Sequence, residues 1–157
     1  MLRRSTILIV AQTRAVADAI VPWLDPETYD VIVVRSFARA KVHLDLQPDL
    51  LISELRLGEY NGLHLALRGQ SSGVPAIVIG EPDRVLEREA QKLAATYVRT
   101  TEPLRDRVLL LVPALLRQHA STRPVGGALA WIRQSESEPS STRLDGARAA
   151  KHFQLYN

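Results

Sequence analysis

Few side chains in this sequence stand where chemistry could be done. The apolar run Ile7, Leu8, Ile9, Val10 ends in Ala11, Gln12 and Thr13, which can neither hold a metal nor move a proton at neutral pH. "DLLISEL" places one acid, Glu54, at the end of its apolar run, while "VPAIVIG" closes on Gly80 and "TYVRT" on Thr100. The four histidines, His43, His64, His119 and His152, are scattered without metal-ligand spacing. There is no cysteine, which excludes a disulfide framework, a thiolate nucleophile and a cysteine zinc site. "GEYNG" is a turn and "RPVGGA" has no strand before it, so neither a dinucleotide fingerprint nor a phosphate-binding loop is present. The chain is therefore read as a non-enzyme.

The elements that must position these residues alternate from Thr6 to about Arg117. Apolar runs at Ile7 to Val10, "YDVIVV", "DLLISEL", "VPAIVIG" and "TYVRT" predict five strands. Between and after them, helical spacing predicts helices over Arg14 to Leu24, Phe37 to Leu46, Leu63 to Arg68, Pro82 to about Ala94, and Pro103 to about His119. Pro22 predicts a kink or the end of its helix and Pro113 a bend, and Pro82 is placed in the first turn of the fourth helix. Strands apolar on both faces and separated by helices mean a parallel sheet covered on both sides. The right-handed crossover rule then leaves a five-stranded doubly wound sandwich as the simplest topology. Such folds place their chemistry beyond the carboxyl ends of the strands, where Ala11, Gln12, Glu54, Gly80 and Thr100 fall.

The chain has 157 residues, enough for one domain and an appendage, and its 46% hydrophobic content suffices for a core. Lys plus Arg is 20 against 17 for Asp plus Glu, and the signs are mixed along most of the chain. That mixing argues against nucleic acid as a partner. No apolar stretch approaches a membrane span and no cleavage pattern follows Val10, so a soluble cytoplasmic protein with no membrane contact is expected. After residue 119 the composition turns to Ser, Gly, Pro and Arg. Residues 1–119 are expected to form the domain and residues 120–157 a mobile tail. "ALAWIRQ" and "ARAAKHFQLY" are its islands of pattern, either short docking helices anchored by Trp131 and Phe153 or plain disordered chain.

This arrangement resembles the receiver domain of bacterial response regulators over residues 5–119. The likeness rests on "ILIVAQTRAVADAI", on "PDLLISELRLGEYNG", and on "PAIVIGEPD" followed by "ATYVRTTEPL". The second is the most specific, with its Pro-Asp-apolar lead, the acid at Glu54 and the Asn61-Gly62 turn. The resemblance implies a flavodoxin-like α/β fold, a five-stranded parallel sheet of order 2-1-3-4-5 with helices on both faces. It also implies an aspartate that accepts a phosphoryl group, a divalent metal held by an acidic pair, a reporting hydroxyl and a lysine. Carried over residue by residue, those positions hold Ala11 and Gln12 for the pair, Glu54 for the acceptor, Gly80 for the hydroxyl, and Thr100 or else Glu102 for the lysine.

The expectation is therefore a degenerate receiver that binds no magnesium and signals through protein contacts without phosphorylation. The alternative is an atypical regulator still phosphorylated on an acid, with the tail as its output. Glu54 has two readings: a fixed mimic of the activated state, with Arg56 and Arg99 near enough to pair with it, or a solvated acid at a strand end. Ala11 and Gly80 are expected to leave space in the crevice. Tyr97 falls where receivers carry an aromatic that moves inward on activation, and it also fits a plain half-buried strand aromatic. In receivers the fourth helix, fifth strand and fifth helix form the usual partner and dimer face. Arg88, Lys92, Arg99, Leu109 and Val112 are the candidates there, for a protein partner or a homodimer. The apolar excess of the last helix, Val108 to Val112 with Leu115 and Leu116, predicts that part of it meets another surface.

Overall fold

The structure is a computed structural model that describes residues 3–122. Of the expected tail, residues 120–122 continue the last helix instead, and residues 123–157, with the two islands, Trp131, His152 and Phe153, lie outside the described residues.

Five strands form one parallel sheet: β1 (Ser5–Val10), β2 (Tyr29–Val34), β3 (Leu50–Glu54), β4 (Ala76–Gly80) and β5 (Thr96–Arg99). Their order is β2-β1-β3-β4-β5, as expected. The strands read as continuous apolar runs because successive side chains enter two different cores. Leu8, Val10, Leu51 and Val78 pack under α2 (Phe37–Asp45), α3 (Gly62–Ser71) and α4 (Arg84–Lys92). Ile7, Ile9, Ile52, Ile77 and Val98 pack on the opposite face under α1 (Arg14–Ile20) and α5 (Leu104–Thr122).

Local chemistry sets the helix ends. Pro22 sits in a 3-10 turn, Val21–Trp23, that finishes α1, because a proline cannot supply the next helical N–H. Asp83 caps α4, accepting from the N–H groups of Val85 at 2.9 Å and Leu86 at 3.1 Å. Pro82 therefore precedes the cap instead of opening the helix, a correction to the expected boundary. Asn61 caps α3 through Leu63 N–H and His64 N–H, and α3 runs to Ser71, longer than predicted. Pro113 does not end α5, which continues to Thr122. Around "GEYNG", where a plain turn was expected, Arg56–Leu57 and Tyr60–Asn61 form a two-residue antiparallel ladder. No helix among the described residues is long and apolar enough to cross a membrane.

Candidate functional site

At the carboxyl end of the sheet the loop after β1 closes over the end of β3. Glu54 Oε2 accepts from Gln12 N–H at 2.7 Å and Thr13 N–H at 3.3 Å, and Oε1 accepts from the Thr13 hydroxyl at 2.6 Å. Thr13 is the residue before α1 and makes no side-chain cap of its own. The Glu54 carboxylate, from another strand, instead binds the two N–H groups just before the helix, which puts negative charge beside the positive end of α1. Gln12 adds a second tie, its Oε1 accepting from Gly58 N–H at 2.9 Å in the loop after β3. The expected pairing of Glu54 with an arginine is absent among the described residues: Arg56 pairs with Glu81 at 3.3 Å and Arg99 with Glu87 at 2.6 Å, while Glu54 is half-buried at its strand end. Backbone N–H groups are common to all residues, so sequence reasoning missed these donors. Thr13, a hydroxyl just before a helix, was the available signal.

Of the room expected beside Ala11 and Gly80, part is filled and part remains as a cleft that Gly80 lines. Ala11 is buried in the core beneath α1 and α5. A Cβ at position 80 would overlap the Tyr97 hydroxyl and come within 2.8 Å of Leu55 Cδ2. Glycine is what lets Tyr97 turn inward, where its hydroxyl donates to Glu81 O at 2.6 Å. Burial, and then the carboxylates of Asp83, Glu87 and Glu81, push the Tyr97 phenol above its ordinary value. What remains is a cleft of about 350 Å³ bounded by Thr13, Val16, Glu54, Ile79 and Thr100. Thr100 borders it, and its N–H donates to Gly80 O at 2.8 Å. Glu102 instead pairs with Arg107 at 2.9 Å. Of the two candidates for the lysine position, Thr100 is the one at the crevice.

These residues do not fit a divalent cation. Magnesium takes hard oxygen ligands in octahedral array, with at least one carboxylate available. Here a methyl and an amide occupy the positions of the expected acidic pair, the Gln12 amide oxygen and the Glu54 carboxylate are already engaged in hydrogen bonds, and Glu81, the other acid lining the cleft, pairs with Arg56. Among the described residues no group of three or more His, Cys, Asp or Glu could hold a metal ion.

No protein-family model matches the sequence, and no characterised relative matches it. Solved structures do match. The signal receiver domain of an HD domain-containing protein from Pseudomonas fluorescens superposes with a TM-score of 0.70 at 23% identity, over 78% of this chain and 94% of that one. A two-component response regulator from Clostridium difficile gives 0.65 at 16% identity, over 73% and 97%. A putative response regulator from Chloroflexus aurantiacus gives 0.64 at 20%, over 73% and 99%. The fold is that of a response-regulator receiver domain.

On this receiver fold the α4–β5–α5 face is tied together by its own charges. Arg99 Nε and its terminal nitrogen donate to the two Glu87 oxygens at 2.6 and 2.7 Å, joining β5 to α4. The Arg99 hydrogen bond holds the Glu87 carboxyl below its usual range, and Glu87 in turn raises Arg99. Lys92 pairs with Glu89 at 2.7 Å, and Arg88 is exposed. Val112 is 1% exposed and belongs to the core, so it cannot serve as the interface residue it was expected to be. Leu111, Leu115 and Leu116 also pack against that core. The apolar excess of α5 reduces to Leu109 and Leu110, which are exposed.

Proposed function

We propose that this chain is a receiver-like signalling module that works without a phosphorylation cycle or magnesium and acts through protein contacts rather than catalysis. Its contact face is α4–β5–α5, toward a partner protein or a second copy, with Arg88, Lys92, Arg99 and Leu109 on it, in the cytoplasm and without nucleic acid. The observation that carries this reading is the Glu54 carboxylate bound to Gln12 N–H, Thr13 N–H and the Thr13 hydroxyl. Phosphoryl transfer needs positive charge gathered around the acceptor. Here the carboxylate at the acceptor position is held by the loop after β1, and the nearby arginines pair with Glu81 and Glu87. Inward Tyr97, admitted by Gly80, supports a face held in one arrangement. The test is intact mass after incubation with acetyl phosphate, with and without magnesium. No phosphoryl mass gain is expected, and a magnesium-dependent gain overturns the reading.

A further inference from the structure

A second surface, on the opposite side of the sheet from α5, combines unpaired positive charge with exposed apolar side chains. Between Asp30 and Asp45 the chain carries Arg35, Arg39 and Lys41 and no acid. None of the three makes an ion pair among the described residues. α2 and α3 pack side by side on the same core. Phe37 and His64 meet edge to face at one end, and Asp45 pairs with Arg68 at 3.0 Å at the other. Between these rungs lie Val42, 63% exposed, and Leu67, 50% exposed, and Leu46 follows at 74%. Tyr60, 50% exposed, stacks on Phe37 with ring centroids 4.3 Å apart, and Lys41 Nζ stands 5.6 Å from the Phe37 ring.

We propose that this α2–α3 face is a docking site for an acidic, amphipathic segment of a partner protein. Its carboxylates would meet Arg35, Arg39 and Lys41, and its apolar side chains would cover Val42, Leu46 and Leu67. Charge chooses the sign of the partner: among the described residues the acids at the face are Asp45, already paired with Arg68, and exposed Glu59 beside Tyr60. The apolar residues choose its class, because a nucleic acid backbone would satisfy the arginines and leave Val42, Leu46 and Leu67 in water. Tyr60 adds a ring already fixed by stacking, so little side-chain freedom is lost when it is covered.

The surface does not involve the crevice, so this proposal and the phosphodonor experiment fail separately. The test titrates the full chain, labelled for amide NMR, with a synthetic helical peptide carrying Glu at one end and Leu along one face. Oligoglutamate and a single-stranded oligonucleotide serve as the other probes. Saturable shifts on α2, α3 and the Tyr60 loop are expected with the peptide. The double variant R39E/K41E should weaken binding by about tenfold or more, and V42S/L67S should weaken it with the charges untouched. Shifts centred on another face, no saturable binding of the peptide, or equal affinity for oligoglutamate or the oligonucleotide would each overturn the proposal. The same shifts appearing when the chain is concentrated alone would assign the face to a second copy and overturn it equally.

Discussion

The α4–β5–α5 and α2–α3 faces use similar residue types to opposite effect. On the first, Glu87 with Arg99, Glu89 with Lys92 and Glu102 with Arg107 satisfy one another, and most of the apolar side chains of α5 turn into the core. On the second, Arg35, Arg39 and Lys41 have no carboxylate within the described residues, and Val42, Leu46, Tyr60 and Leu67 face water. A charged face can thus hold its charges already engaged with one another, as α4–β5–α5 does, or leave them open, as α2–α3 does. Which groups pair separates the two cases where composition does not, since surface pairs contribute little stability but do fix which groups are engaged.

The contrast can be broken by substitution. The largest effect is expected at Val112→Ala, a loss of about 2 kcal/mol in urea denaturation because the side chain is core. Leu110→Ala, one helical face away, should change stability by less than about 0.5 kcal/mol. Equal effects would mean that α5 is not seated as described. Next comes Gly80→Thr, where the added atoms collide with Tyr97 and Leu55, for about 1 to 3 kcal/mol. Combining it with Tyr97→Ala should cost less than the sum of the two singles. Additivity would show that the ring does not use the space at Gly80.

Glu54→Ala removes three hydrogen bonds that tie the loop after β1 to the end of β3, at about 1 to 3 kcal/mol. Hydrogen exchange should quicken at Gln12 and Thr13 while α2 and α3 stay unchanged. The smallest effect is acid sensitivity of the first face. Glu87 has a lowered pKa when folded, so its contribution is present above the ordinary carboxylate value and is lost as pH falls through the lowered one. Wild-type stability should therefore fall more in acid than that of Glu87→Gln. For Tyr97 the sign reverses: its phenol is raised on folding, so stability holds below the ordinary phenol value and falls as pH climbs through the raised one. Tyr97→Phe should blunt that alkaline loss in a pH-dependent melting series.

Much of the fold was legible because a strand buried on both faces leaves a continuous apolar run, and β1, β3 and β4 are such runs. The ladder of Arg56–Leu57 with Tyr60–Asn61 was not legible, since two residues carry no period. The positions around the crevice could be placed from strand ends alone. What binds Glu54 could not, because two of its three donors are main-chain N–H groups. The Tyr97 arrangement had a signal that went unused: a glycine in a buried strand marks the close approach of another group. Exposure of Val42 and Leu67 depends on which helices pack together, and the period of one helix does not carry that.

The Asn61-Gly62 step also governs how the protein ages. A Cβ at Gly62 would overlap the Glu54 carbonyl and lie 2.9 Å from Ser53 Oγ, so the position admits only glycine. The close packing thereby imposes an Asn-Gly pair, the dipeptide whose asparagine deamidates most readily through attack by the following nitrogen. In the folded chain that nitrogen donates to Leu55 O at 2.7 Å, and the Asn61 oxygen is held by the first turn of α3. Succinimide formation must wait for this loop to open. Isoaspartate at residue 61 would then accumulate as a chemical record of how often this loop has opened.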